Sequence, residues 1–201
     1  MVESQLAARG IKDARVLAAM DEVPRERFVA PEYWSRAYDD EPLPIGFGQS
    51  ISQPFMVALM AQCLVLNPQD SLLEVGGGSG YAAAVYGRLA ARVISLELVA
   101  QLADRAAETL RALGAANVEV LCRDGHEGYP EEAPYDAISV AAADRDVPPA
   151  LLEQMREGGR LVMPVGPRDE QQLVLVRRTA QGFLRRDAGA CRFVPLRSKR
   201  G

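Results

Sequence analysis

The sequence predicts an α/β fold: a doubly wound, mostly parallel sheet with an antiparallel C-terminal edge and an N-terminal appendage of helices and loop. Three observations predict it. From about Asp70 onward, short apolar runs rich in β-branched residues alternate with longer runs of helical character, the pattern of strands joined by crossover helices. Near the C-terminus, two strands follow with only "TAQGF" between the "LVLV" run and what comes next, too short for a crossover, which predicts an antiparallel edge. The first 65 residues lack this alternation and stand apart as an appendage.

In chain order, Ile11, Ala14, Val16, Leu17 and Met20 recur near helical spacing and predict a helix over 11–20. The stretch "VPRERFVAPEYWSRAYDDEPLPIGFGQSISQP", Val23 to Pro54, is rich in Pro and Gly and has no sustained period, so it reads as a long loop. Loops of that length in compact domains are functional or disordered. The aromatics Phe28, Tyr33, Trp34, Tyr38 and Phe47 argue for order. "QPFMVALMAQCLVL" follows as a helix packed on the sheet. Strands are expected at 71–75, 93–98, 118–122, 135–140, 159–165, 171–178 and 191–196, with helices at 81–90, 99–113 and 148–155. The division is therefore 1–65 for the appendage and 66–201 for the core, forming one structural unit.

Bulk properties exclude several function classes. Net charge is −4, and the basic clusters Arg177-Arg178, Arg185-Arg186 and Arg197 to Arg200 are too short and scattered to follow a phosphate backbone, so no nucleic acid is expected as a partner. Cys63, Cys122 and Cys191 are odd in number and lack CxxC spacing, which argues against a disulfide framework and a zinc site; they read as small core residues, and no metal is expected. No basic and apolar leader opens the sequence, and no apolar run approaches the roughly 18 residues of a membrane span. The expectation is a cytoplasmic monomer with no membrane partner.

The chemistry is concentrated in "LLEVGGGSGYAAAVYG". Gly76, Gly77, Gly78, Ser79 and Gly80 directly follow the first core strand and directly precede a helix. In an open α/β sheet, that turn lies at the carboxyl end of a strand, where ligands bind. Glycine lets a ligand approach the backbone, and the helix N-terminus offers free N–H groups. Acids sit at successive strand ends: Glu74 just before the glycines, Glu97 21 residues after Gly76 with Leu98 beside it, and Asp124-Gly125 after the third strand. Glu97 has the spacing of an acid that accepts from ribose hydroxyls, and Asp124 that of a carboxylate facing an adenine amine. The core thus reads as Rossmann-like and nucleoside-binding. A dinucleotide fingerprint fits only loosely, as Gly78, Gly80 and Ala83, and Glu74 would repel a pyrophosphate; a cofactor carrying positive charge, such as S-adenosylmethionine, suits that acid better than NAD does.

With these motifs located, the chain resembles the protein-L-isoaspartate O-methyltransferases, a class I S-adenosylmethionine-dependent family. The resemblance rests on "VLAAMDEVPRERFV", "YDDEPLPIGFGQSISQP", "LLEVGGGSGY", "RDGHEGYPEEAPYDAISVAAA", "VPPALLEQMREGGRLVMPVG" and "RFVPL", of which the PLPIG-x-GQ-x-IS-x-P segment and the terminal FVPL are the most particular. It implies methyl transfer from S-adenosyl-L-methionine, leaving S-adenosyl-L-homocysteine, to the α-carboxylate of L-isoaspartyl and D-aspartyl residues in damaged proteins. The ester then closes to a succinimide, which begins repair. By the same resemblance, Ser52 is the active-site serine, and Phe47, Ser50, Ser52 and the strand backbone at Arg192 and Val194 hold substrate. Gln49, Ser50, Ile51, Ser52, Glu74, Gly76, Gly77, Gly78, Ser79, Gly80, Glu97, Leu98, Asp124 and Gly125 hold cofactor.

The residues agree with such chemistry. A carboxylate is already ionised at pH 7 and attacks a sulfonium methyl without a general base. The sole histidine, His126, is beside Asp124 and offers no Ser-His-Asp arrangement. The sequence departs from the family pattern at Phe47, where histidine is common, at Ser50, where threonine is common, and at Gly77, where threonine or serine is frequent. The alternatives left open are a carboxylate methyltransferase acting on another peptide or small molecule, a cofactor-binding paralogue without turnover, and, more distantly, an NAD-dependent oxidoreductase.

Overall fold

A computed structural model describes residues 1–198; Lys199 and Arg200 of the C-terminal basic cluster lie outside the described residues. The core is a seven-stranded sheet of order β5-β4-β3-β6-β7-β8-β9. Its strands are β3 (Ser71–Val75), β4 (Arg92–Glu97), β5 (Val118–Cys122), β6 (Tyr135–Val140), β7 (Met155–Val165), β8 (Gln171–Thr179) and β9 (Gly182–Cys191), preceded in the chain by a small hairpin of β1 (Leu43–Gly46) and β2 (Gln49–Ile51). The helices are α1 (Ala14–Glu22), α2 (Pro54–Leu64), α3 (Tyr81–Gly87), α4 (Ala100–Ala112) and α5 (Pro149–Glu153). Strands β5 to β7 run parallel, and β8 and β9 close the sheet antiparallel, as the alternation and the short "TAQGF" turn require.

The order matters for the site. The chain moves outward from β3 to β4 and β5, then returns past β3 to β6, so the winding direction reverses between β3 and β6. Loops leaving the carboxyl ends of those two strands diverge and open a crevice there. Val75 and Val140 end the two strands, and the N–H of Ala141 still donates to Val75 O at 2.8 Å. The glycine turn after β3 and the Ala141–Ala143 stretch after β6 are therefore the two lips of one crevice.

The stretch expected as a long loop contains short helical turns at Arg25–Phe28 and Pro31–Arg36 and then the β1–β2 hairpin. Sequence periodicity misses the hairpin because its strands are only four and three residues long. Its turn is Phe47-Gly48, with φ of 54° and 70°, the positive values that a two-residue hairpin turn demands. The last strand also differs from expectation: it spans Gly182–Cys191 rather than 191–196, because hairpin pairing with β8 starts at Thr179↔Gly182. Residues 192–196 form instead an extended segment that crosses to β6, with Ala143 N donating to Val194 O at 2.8 Å and Leu196 N donating to Ala143 O at 2.7 Å. The cysteines are free but not core residues: Cys122 is exposed on the outer strand β5, and Cys63 and Cys191 are half-buried. No helix among the described residues is long and apolar enough to cross a membrane.

The appendage shares its core with the sheet. Leu6, Met20, Phe28, Leu43, Ile51 and Leu64 belong to one buried cluster with Leu72, Tyr81, Tyr86 and Val162. Within it lies a fully buried cation, Arg25, whose Nε donates to Ala37 O at 2.7 Å and whose guanidinium lies 4.8 Å from the centre of the Tyr81 ring. Burial lowers its pKa to about 10, still far above neutrality, so the charge remains and ties the 37–41 loop to the first residue of α3. Asp40, in the same loop, accepts from Phe55 N at 2.9 Å through Oδ1 and caps the N-terminus of α2 from outside the helix.

Candidate functional site

Three connected clefts meet at the carboxyl ends of β3 and β6. The first, about 590 Å³ with its open mouth, is lined by Gln49 and Ser50, the glycines Gly76 and Gly78, Leu96 to Val99, Arg123, Gly125, Ala141, Ala142 and the segment 194–197. A second, about 1320 Å³ and wider, is bounded by Arg9, Pro42, Ser50, Ser52, Gln53, Phe55, Met56, Ala141, Arg168 and the segment 190–195. The third, about 350 Å³, lies between them under Ser50, Ile51 and Ser52, above Glu74, Gly76 to Ser79, Tyr81, Ala82 and Ala141. Ser50 and Ala141 line all three, and Ser52 lines the second and third. The β2 strand and its continuation to Pro54 are thus the partition between two chambers, and Ala141 is the floor beneath it.

Each glycine of the turn has its own reason. Gly76 and Gly78 take φ of 86° and 55°, and a Cβ on Gly76 would lie 3.6 Å from the Ala141 carbonyl carbon, so a side chain would narrow the crevice between its two lips. A Cβ on Gly77 would collide with the Ser95 hydroxyl. Gly80 does not line a cleft; its φ of 87° and its approach to Ala106 and Leu110 make it the packing point between α3 and α4.

The acids divide by environment. Glu74 is 1% exposed, faces the third cleft, and accepts from Ser95 Oγ at 2.5 Å. Burial raises its pKa to about 7, against the hydrogen bond from Ser95, which lowers it; Glu97 raises it slightly further. Glu97 lines the first cleft while its Oε2 accepts from Gly78 N and its Oε1 from Val99 N, both at 2.8 Å. It therefore locks the glycine turn to the end of β4, and each oxygen keeps a lone pair for a hydroxyl donor in the cleft. Asp124 sits outside the lining: Oδ1 accepts from His126 N at 3.0 Å and Oδ2 from Ser198 Oγ at 2.7 Å, while its neighbours Arg123 and Gly125 face the cleft. His126 is held between Asp124 and Asp144, at 3.3 Å and 3.2 Å, and faces those carboxylates rather than the cleft.

Of the other expected site residues, Gln49, Ser50, Ile51, Ser52, Ser79, Leu98 and Gly125 come together on the first and third clefts, and Arg192 and Val194 on the second. Buried Gln171 accepts from Phe193 N at 2.7 Å and donates to Phe193 O at 3.2 Å. Val194 O is taken by Ala143 N, so along this segment its carbonyl faces the stretch after β6 while Arg192 and Val194 both line the second cleft. Phe47 is at the exposed tip of the hairpin and lines none of the clefts. Sequence reasoning missed Ala141, whose signal was its place at the end of β6, and missed Arg9 and Arg168, for which no local signal exists. No group of three potential metal ligands occurs among the described residues.

Comparisons with known proteins agree over the whole length. The family model described as protein-L-isoaspartate(D-aspartate) O-methyltransferase matches residues 1–201. A protein-L-isoaspartate O-methyltransferase 2 of Anaeromyxobacter sp. (strain Fw109-5) is 54% identical over 198 residues, covering 98% of this chain and 82% of the relative. A protein-L-isoaspartate O-methyltransferase of Methanoregula boonei is 50% identical over 201 residues, covering 100% and 93%. Among solved structures, a protein-L-isoaspartate O-methyltransferase superposes with a TM-score of 0.89 at 30% identity, covering 100% of this chain and 67% of the other. A Plasmodium falciparum chain assigned to the same enzyme class, in complex with S-adenosyl-L-homocysteine, gives 0.84 at 26% identity over 98% and 96%.

Proposed function

The chain belongs to the protein-L-isoaspartate(D-aspartate) O-methyltransferase family, and from that premise we propose how its clefts divide the work of methylating isoaspartyl carboxylates. The first and third clefts take S-adenosylmethionine; the second takes the damaged peptide. The observation that carries this division is the position of Ser50 and Ala141 on all three clefts, with Ser52 on the two between which a methyl group must pass.

The residues present fit a cationic nucleoside cofactor. Glu74, buried in the narrow cleft, is an acid whose ionised form is disfavoured by burial and favoured by a neighbouring positive charge. The glycine turn supplies open backbone beside it, and Glu97 supplies acceptors at the wider end. When bound, S-adenosylmethionine supplies a methyl group on positively charged sulfur, which a carboxylate oxygen can displace.

What the chain contributes is alignment. An isoaspartyl α-carboxylate is ionised at neutral pH and carries its own nucleophilic electron pair, so no side chain has to remove a proton. Ser52 would donate a hydrogen bond to one carboxylate oxygen and leave the other to react, and the Arg192–Val194 backbone would hold the adjoining peptide as an added extended strand. Fixing acceptor and donor in one geometry is worth on the order of 7 to 11 kcal/mol in favourable cases. The methylated product closes to a succinimide, the start of repair. The reading includes a monomer working in the cytoplasm on proteins, without nucleic acid or membrane; the net charge of −4 and the scattered short basic clusters support the part that concerns nucleic acid.

The test is incubation with labelled S-adenosylmethionine and peptide pairs that differ only in aspartyl or isoaspartyl linkage. Label confined to the isoaspartyl member is the expected result. Label on both members, or on neither while cofactor still binds, overturns the reading.

A further inference from the structure

We propose that the acceptor cleft selects isoaspartyl segments whose neighbouring side chains are acidic, through Arg9, Arg168 and Arg192 on its rim. The inference rests on the assignment of this cleft to the peptide. All three arginines line it, and no Asp or Glu does. That composition runs against the rest of a chain with 27 acidic and 23 basic residues. The three come from separate places: Arg9 ends a helical turn of the appendage, Arg168 lies in the turn between β7 and β8, and Arg192 follows β9. Arg168 and Arg192 flank the paired strand ends Gln171 and Cys191, while Arg9 comes from the appendage, so a peptide in the cleft meets positive charge from two separate parts of the chain.

Their states differ in a useful way. Arg9 stacks over the Phe55 ring at 3.8 Å and pairs with Asp40, which fixes the guanidinium at the mouth of the cleft and partly offsets its charge. Arg168 and Arg192 are exposed and form no ion pair with another described residue, whereas Arg36, Arg92, Arg123, Arg156, Arg160 and Arg185 each pair with an acid. The acids nearest in sequence, Asp169 and Glu170, are exposed beside Arg168 but do not line the cleft. An acidic peptide side chain would thus meet two cations with no carboxylate already in place. Because these arginines reach residues flanking the reaction and not the reacting atoms, their effect falls on binding more than on turnover. It also falls with salt, since exposed charges are screened over about 10 Å at 0.1 M ionic strength.

The experiment uses the full chain and three isoaspartyl peptides identical except for flanking Glu, Gln or Lys. KM and kcat are measured at about 0.01 M and about 0.3 M ionic strength. Expected is a KM lower by about tenfold for the Glu peptide than for the Gln peptide at low salt, a higher KM for the Lys peptide, and nearly equal kcat. The Glu-to-Gln ratio should shrink several-fold at high salt and in Arg168→Gln, and further in Arg168→Gln with Arg192→Gln. Equal KM for the Glu and Gln peptides at low salt overturns the proposal. If none of the peptides is methylated, it is the assigned reaction that fails. Anisotropy of the same labelled peptides on protein loaded with S-adenosylhomocysteine then decides the rim separately: tighter binding of the Glu peptide supports it and equal binding overturns it.

Discussion

The two chambers on either side of β2 are built in opposite ways. The cofactor side is made from consecutive strand ends of the parallel sheet, with Glu74, the glycine turn, Glu97 and Gly125 all on rigid, buried elements. The acceptor side is assembled from chain segments far apart in sequence, the first turn at Arg9, the stretch 49–56 and the segment 190–195, held by side-chain clamps such as Asp40 on Phe55 N and Gln171 on Phe193. The first design gives little room for change, because under the proposed assignment backbone and side chains of the core would touch the ligand directly. The second lets specificity vary through exposed residues while the clamps keep the geometry.

Four substitutions would break or sharpen this contrast, from the largest effect down. Gly125→Ala puts a Cβ into Val75 Cγ1 at the end of β3, so it should cost about 3 kcal/mol in denaturant titration and weaken cofactor binding as well. A loss under about 0.5 kcal/mol would mean the cofactor side is as tolerant as the other. Ser52→Ala, on the acceptor side, should lower kcat by about ten- to a hundredfold with cofactor affinity nearly unchanged, the loss of one charge-assisted hydrogen bond. An unchanged rate removes Ser52 from the site.

Glu74 gives a pH test of the buried side. Its folded pKa of about 7 means the carboxyl is neutral below that pH and charged above it. A cationic ligand therefore binds more weakly in acid, and S-adenosylmethionine affinity should rise by up to about tenfold per pH unit toward 7 and then level off. Glu74→Gln should flatten this rise in calorimetric titrations; a slope unaltered by the substitution would place the titrating group elsewhere. The smallest effect is expected at Phe47, held at φ 54° in an exposed turn. Phe47→Asn should stabilise the chain by up to about 1 kcal/mol, because Asn tolerates that conformation, and should change kcat/KM less than about threefold. A larger kinetic change would bring the hairpin tip into contact with substrate.

The same contrast governs how much could be read beforehand. Strands β3, β5 and β6 were legible to the residue, since parallel strands covered on both faces are continuous apolar runs and β3 and β6 are buried that way. The hairpin was not legible, because seven strand residues around Phe47-Gly48 carry no period. Nor was the end of the sheet: "CRFVPL" has the composition of a strand, yet β8 had already found its partner in the polar run 182–191.

By itself, the sequence determined the parallel strands of the core and the place of the glycine turn, Glu74 and Glu97 at their carboxyl ends, because each of these is encoded by neighbours within a few positions. Only the tertiary structure decided that Asp124 caps a turn and meets Ser198, that Ala141 is the common floor, and that Arg9, Arg168 and Arg192 share a rim. The Asp124–Ser198 contact spans 74 positions and the rim joins positions 9, 168 and 192, juxtapositions set by how the appendage and the C-terminal segment pack across the sheet, and no local pattern encodes them.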